Sequence, residues 1–415
     1  MEKVPNIRFQ GYTDDWEQQK IGDITSVLSA SRVHKDEWTD EGVPFYRSSD
    51  VVSAYKGITN EKAFISQELY ETLAVSSGKL EKDDILVTGG GSIGIPYVVP
   101  DDQPLYTKDA DLIWVKKSAV HDSKYLFTYF ESPLFRNYLI SISHTGTISH
   151  YTIEQVKATP VALSGIEEQK QIGAYFARLD NLIALHQRKC DELQKVKKYM
   201  LQKMFPKKGE KVPEIRFAGF TGDWKQRKLG DIGETYTGLS GKTKDDFGHG
   251  EATFVTYMNV YTNPIANKEL VESVEIDTSQ NEVQYGDVFF TTSSETPDEV
   301  GMSCVWLEKT MNTYLNSFCF GYRPTVKIEP YYMAYALRSD VVRKKIIFLA
   351  QGISRYNISK NKLMEIEIPL PDIDEQTKIG QHFKNLDNLI TLHQRKHDTL
   401  KEIKKYMLQN MFPKK

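Results

Sequence analysis

The sequence predicts an α+β fold in which two homologous mixed α/β bodies alternate with two long helices in a pseudo-two-fold, circular order. Three observations predict it. The stretch Gly165–Lys208 recurs as Asp372–Lys415, with 29 of 44 positions identical. The stretch Val4–Ile24 (VPNIRFQGYTDDWEQQKIGDI) recurs as Val212–Ile232 (VPEIRFAGFTGDWKQRKLGDI), identical at 14 of 21 positions. Finally, joining the tail MFPKK to the head EKVPNIRF would recreate the central joint MFPKKGEKVPEIRF. An internal repeat of this length is read before any local pattern, because it fixes the architecture.

Five segments follow in order: a repeated head (1–24), a first body (25–164), a central repeated region (165–232), a second body (233–371) and a repeated tail (372–415). Within the first body, DDILVTGGG, IPYVV and ADLIWVKK read as strands and KYLFTYFESPLFRNYLIS as helix. The second body matches them with GDVFFTTSS, MSCVWL, NSFCFGYRP and the helical YYMAYALRSDVVRKKIIFLA. The strands are β-branched and aromatic runs bounded by Gly, Asp and Pro, and the helices space their apolar residues by three and four. Each body closes on a matching motif, Ile148-Ser149-His150-Tyr151-Thr152-Ile153 and Ile353-Ser354-Arg355-Tyr356-Asn357-Ile358.

The repeated segments Glu167–Met204 and Asp374–Met411 each read as one helix. Ile172, Phe176, Leu179, Ile183, His186, Cys190, Leu193, Lys197, Met200 and Met204 step by four and three, the seam spacing of a coiled coil. Ile379, Phe383, Leu386, Ile390, His393, His397, Leu400, Lys404, Met407 and Met411 repeat it. Pro206 and Pro413 end both helices. The polar seam centre (His186, Cys190, Lys197) costs stability and can fix register.

Composition narrows the function. At 415 residues and 40% hydrophobic the chain has length for two to three domains with real cores. A formal charge of -3 gives no general pull toward nucleic acid or membrane. Three scattered cysteines (Cys190, Cys304, Cys319) fit a reducing, cytoplasmic setting and exclude a disulfide framework. Neither a signal peptide nor an apolar run of membrane length is present, so no membrane partner is expected.

Motifs for catalysis fail one by one. Gly89–Gly94 spells GxGxxG after a strand, but a dinucleotide loop needs a helix next and a second strand follows, so a strained turn is expected. Gly241-Lys242-Thr243 lacks the glycine a phosphate loop needs, since Tyr236 stands there. The histidines show no metal-ligand spacing, no acid/base pair stands out, and the Asn-Pro-Pro-aromatic tetrapeptide of adenine methyltransferases is absent. No catalytic, cofactor or metal site is expected in this chain.

Two variable bodies closed by near-identical segments, DEQ-IG…LDNLI-LHQRK…KKYMLQ-MFPKK and IRF-GF-DW…LGDI, resemble the specificity (S) subunit of type I restriction–modification systems over nearly the whole chain. The resemblance implies that the bodies are target recognition domains. It implies an antiparallel coiled coil holding them apart, setting the unread spacer between two half-sites and docking the partner subunits. It implies no catalysis in this chain, a double-stranded DNA target, two adenine-N6 methyltransferase subunits and two ATP-dependent restriction–translocase subunits, with S-adenosylmethionine and ATP bound by those partners. An enzyme, a stand-alone DNA-binding regulator, a pure scaffold, and the specificity subunit of a related type II-like modification enzyme are the alternatives.

Each body holds 13 Lys+Arg against 18 Asp+Glu, so positive charge must be gathered on one face or supplied by partners. The densest basic cluster is Arg338, Arg343, Lys344 and Lys345. Residue types that pair with base edges nominate three equivalent pairs of stretches: Ser149-His150-Tyr151 with Ser354-Arg355-Tyr356, Arg47-Ser48-Ser49 with Thr256, Tyr257 and Asn259, and Gly90 and Ser92 with Thr292 and Ser293.

Overall fold

The computed structural model describes residues 4–108, 111–142 and 150–413. The chain forms two compact units, one from residues 1–188 with 394–415, the other from residues 189–393. Both long helices are continuous, Ile166–Lys203 and Ile373–Asn410. Each starts and ends one residue before the bounds expected from sequence. Each unit therefore contains the beginning of one long helix and the end of the other.

The seam holds along its length. Between residues 181 and 200 only Ile183, His186, Cys190, Leu193, Lys197 and Met200 are buried or half-buried. Between residues 388 and 406 only Ile390, His393, His397, Leu400 and Lys404 are. The pairing is antiparallel within each unit. Lys404 Nζ lies 2.6 Å from Asp180 in the first unit, and Lys197 Nζ 2.5 Å from Asp387 in the second.

Each body is built on the same sheets. In the first unit an antiparallel sheet runs in the order Val27–Leu28, Leu112–Val115, Ile85–Thr88, Pro96–Val98. In the second the order is Gly233–Thr237, Cys319–Pro324, Val288–Thr291, Ser303–Val305. A further sheet in each body ends in a parallel pair, Val43–Tyr46 with Tyr106–Thr107 and Phe247–Val255 with Thr313–Leu315. A two-stranded ribbon ties head to body, Glu17–Lys20 on Pro160–Leu163 and Lys225–Lys228 on Glu367–Leu370. Gly89–Gly94 is a turn between two antiparallel strands, with Gly91 and Gly94 at φ +69°, a conformation that favours glycine.

The two helical stretches read as single helices are each broken in two. In the first body the break falls between Ser123–Glu131 and Pro133–Ser141, where Ser132 caps the second piece and Pro133 removes a helical donor. In the second body Pro330–Arg338 ends at Ser339, whose hydroxyl and amide both donate to the Ala336 carbonyl, and Asp340–Phe348 begins anew.

The repeated head and helix starts build the same joint twice. Arg8 binds Glu168 at 2.7 and 2.9 Å, and Arg216 binds Glu375 at 2.7 and 2.8 Å. The Ile7 amide donates to the Asn410 carbonyl at 2.9 Å, and Ile215 to Lys203 at the same distance. Trp16 meets Phe412 edge-on with centroids 6.3 Å apart, as Trp224 meets Phe205 at 6.3 Å. Phe9 packs on Tyr175 and Phe217 on His382. The head thus docks on the tail in the first unit through the contacts that the continuous joint makes in the second, as the repeated joint sequence predicts.

The lone glycine in each long helix has a reason. A methyl group on Gly173 would come within 2.7 Å of the Asp122 carboxylate and the Tyr125 amide; on Gly380 it would come within 2.4 Å of the Glu329 carboxylate and 2.8 Å of the Tyr332 amide. Asp122 and Glu329 cap the first helix of each broken pair. Their backbone amides donate to Gln169 and Gln376, which follow the joint's two glutamates. Helix propensity is given up so that the body can seat flush on the long helix.

Candidate nucleic-acid interface

The nominated stretches are far apart in sequence but converge within each body. In the first, the Ser48 hydroxyl and the Gly89 amide both donate to the Asp111 carbonyl, each at 2.8 Å. The Tyr151 amide donates to the Gly89 carbonyl at 2.7 Å, and Gly90 bridges to His150. Lys108 pairs with the Asp111 carboxylate beside them. Ser49, Ser92 and His150 are exposed. Ser149 lies outside the described residues.

The second body repeats the convergence with different side chains. Ser293 and Ser294 pair antiparallel with Asn357 and Tyr356. Thr292 donates through its amide and hydroxyl to the Phe318 carbonyl and accepts from the Ile358 amide. The Tyr257 hydroxyl donates to the Ser293 carbonyl at 2.8 Å, and its ring lies parallel to that of Tyr261 at 6.1 Å. Gln351 and Asn357 close a hairpin whose tip carries Ser354 and Arg355, both exposed. Gly352 at φ +146°, where a Cβ would overlap the Arg355 carbonyl, makes the tight turn possible.

Not every nominated residue lies on this face. Tyr151 is fully buried with its hydroxyl on Thr159. Asn259 is equally buried; its amide nitrogen donates to the Asn267 and Leu270 carbonyls, and its oxygen accepts from the Asn267 amide. Thr256 caps the helix Tyr257–Thr262 through the Asn259 amide. Arg47 stands at the N-cap position of the helix Ser48–Lys56, where its amide and guanidinium both donate to the Asp50 carboxylate, which raises its pKa, and its guanidinium also donates to the Glu61 carbonyl. It also lies over the Trp38 ring. These four hold the turns in place, while Ser49, Ser92, His150, Ser354 and Arg355 project from them.

Of the four residues in the second body's basic cluster, three are spent on backbone carbonyls and only Lys344 is exposed. Arg338 is spent on the carbonyls of Val260, Tyr261, Thr262, Asn263 and Ser303, and Arg343 on those of Asp298, Val300 and Gly301. Burial pushes both pKa values down to about 10. Lys345 donates to the Glu367 carbonyl. These side chains close loop ends and helix ends in place of an anion.

A second feature escaped the sequence reading because it sits one residue from the seam. Each long helix exposes the same four apolar positions: Leu182, Leu185, Val196 and Tyr199, repeated as Leu389, Leu392, Ile403 and Tyr406, all 40–58% exposed. The first unit holds Leu182, Leu185, Ile403 and Tyr406; the second holds the other four. Their recurrence at a constant offset was the available signal.

Among the described residues no group of three or more His, Cys, Asp or Glu is placed to hold a metal, and no helix is long and apolar enough to cross a membrane.

Comparison with known proteins agrees with this architecture. A profile described as the type I restriction modification DNA specificity domain matches residues 13–195 and again 221–402. The chain is 24% identical to the type I restriction enzyme MjaVIII specificity subunit of Methanocaldococcus jannaschii, over 95% of this chain and 91% of that one. Its fold is similar to the crystal structure of a type I restriction–modification S subunit from M. genitalium, with TM-score 0.59, 15% identity, and coverage of 99% and 100% of the two chains. A subunit from a structural study of type I complex assembly and conformational transition matches with TM-score 0.52 at 15% identity, over 95% and 96%.

Proposed function

Because the chain belongs to the type I restriction–modification DNA specificity family and carries two of its domains, we propose that each body reads one half of a bipartite, asymmetric double-stranded DNA site. One observation carries this reading. The two bodies present the same three converging turns on one frame, but with different side chains, His150, Lys108 and Asp111 in one and Arg355, Tyr261 and Tyr257 in the other. Equivalent placement suits two similar half-sites, and unlike chemistry suits unlike bases. The long helices hold the bodies and set the unread spacer.

The duplicated apolar stripe supports docking of partner subunits on the helices. Exposed apolar residues gathered along a helix face mark interaction surfaces. One set per unit suits two copies of one partner, read as two adenine-N6 methyltransferase subunits that in turn admit two restriction–translocase subunits. S-adenosylmethionine and ATP would be bound by those partners, and this chain, working in the cytoplasm, would be non-catalytic.

The test is a reconstitution. The purified chain incubated with S-adenosylmethionine and DNA is expected to transfer no methyl group; with its methyltransferase subunit it is expected to direct N6-adenine methylation to one motif. Methyl transfer by the chain alone, or the same motif methylated without it, overturns the reading.

Arg355→Ala sharpens it. An arginine on a base edge is worth ~1–3 kcal/mol of discrimination, so the variant is expected to relax preference at one position of one half-site. Binding assays on targets varied base by base check this. Uniform weakening with a smaller salt slope would instead make Arg355 a phosphate contact.

A further inference from the structure

The repeated helices and the diverged bodies meet at one ionic site in each unit. The helix residues are the same in both: Asp180 with Lys404 and, 207 positions on or back, Asp387 with Lys197. The body residues differ. In the first unit Glu131, at the end of the helix Ser123–Glu131, lies 2.9 and 2.8 Å from Lys404 Nζ, while Asp180 lies 2.6 Å from it. The Tyr55 hydroxyl donates to Glu131 at 2.9 Å. The Glu131 side chain is only 6% exposed and that of Lys404 15%. In the second unit the residue equivalent to Glu131 is Arg338, which turns away to loop carbonyls. There Tyr335, on the same body helix, donates its hydroxyl to Asp387 at 2.7 Å, and Lys197 lies over its ring at 5.4 Å.

We propose that the Lys–Asp pair of the repeated helices is an amphoteric socket for unlike bodies, with Glu131 and Tyr335 as the positioning residues that plug into it. One body offers an acceptor to the lysine; the other offers a donor to the aspartate. A socket holding both an ammonium and a carboxylate accepts either plug, so the helices stay constant while the bodies diverge. A buried charge needs a partner, so the plugs are not equivalent. Body one depends on Lys404 to neutralise Glu131. Body two keeps the hydrogen bond from the Tyr335 hydroxyl to the Asp387 carboxylate when the lysine is lost, and Asp387, 28% exposed against 6% for Glu131, stays within reach of water. The proposal rests on the reading of the bodies as separate readers of half-sites, but its first readout does not need DNA.

The experiment compares Lys404→Met with Lys197→Met in the full chain bound to its methyltransferase subunit. Amide hydrogen exchange of Ser123–Glu131 is read against Pro330–Arg338, each serving as the internal reference for the other. Lys404→Met is expected to raise exchange in Ser123–Glu131 by at least about tenfold, because it strands a buried carboxylate. Adding Glu131→Gln is expected to return exchange to within about threefold, since the pair is coupled. Lys197→Met is expected to move Pro330–Arg338 by less than about threefold until Tyr335→Phe is added. A positioning role has a second signature: Lys404→Met should let methylation spread to sites whose spacer is wrong by one base pair, whereas mere instability lowers methylation everywhere without spreading it. Equal effects of the two lysine substitutions, or no recovery with Glu131→Gln, would show a simple staple between helices and overturn the socket. If the exchange pattern holds but no spacer spreading occurs, the positioning role is refuted while the half-site reading stands.

Discussion

Arg8→Ala is expected to destabilise the first unit by ~3–5 kcal/mol, the cost of removing one partner of a buried ion pair. Its partner Glu168 has a side chain only 1% exposed, so water cannot replace the guanidinium without opening the joint. The first turn of the long helix favours a carboxylate but supplies too little to neutralise it. Arg216→Ala should cost less. Glu375 is as buried, at 2%, but it also accepts the indole N–H of Trp224 at 3.1 Å. The equivalent indole of Trp16 finds no such acceptor among the described residues. The chain has two units, so one unfolding curve would blend them. Hydrogen exchange followed through urea, read separately on Glu17–Lys20 and Lys225–Lys228, separates the effects. Equal midpoint shifts in both units, or none, would contradict the role assigned to this joint.

Exchange of the first body, residues 25–164, for the body of another member of the family is expected to replace one half of the target and leave the other intact. The physical ground is the separation of frame and face. The joint and the seat are made by Arg8, Trp16, Glu168, Gln169 and Gly173, all outside the exchanged segment, which supplies only the seating helix Ser123–Glu131. The turns carrying Ser49, Ser92 and His150 lie wholly inside it. The effect on the lost half-site is the full specificity of a recognition domain, several mismatched bases at ~1–3 kcal/mol each. A new body that offers neither an acceptor to Lys404, as Glu131 does, nor a donor to Asp180, as Tyr335 does to Asp387, should seat more weakly on the helices. Change in both half-sites would show that the bodies read jointly.

The frame was legible in the sequence because repetition does not depend on knowing any environment. Ile172, Phe176 and Leu179 recur as Ile379, Phe383 and Leu386, and all six are buried. The joint was legible for the same reason, down to Trp16 and Trp224. Burial of polar residues was not. Tyr151 and His150 are neighbours, yet one is buried and one exposed, because adjacent residues of an extended segment point to opposite faces. Asn259 looks like an adenine-reading side chain by type, but every polar atom of its amide is used by the loop Asn267–Leu270. The Arg338 cluster misled for a related reason: charge in sequence gives no sign that backbone carbonyls at a helix end will absorb it. The break at Ser339 was hidden because apolar spacing runs on through a two-helix corner, whereas at Ser132 the signal was present in Ser132-Pro133, a capping residue followed by proline at the first helical position.

Sequencing of methylated adenines in cells that express this chain with its methyltransferase subunit tests the central claim most directly. Two unlike recognition domains on one frame predict a single motif of two different half-sites separated by a spacer of fixed length whose bases do not matter. A contiguous motif, a palindrome of two equal half-sites, or methylation indifferent to spacer length would contradict it.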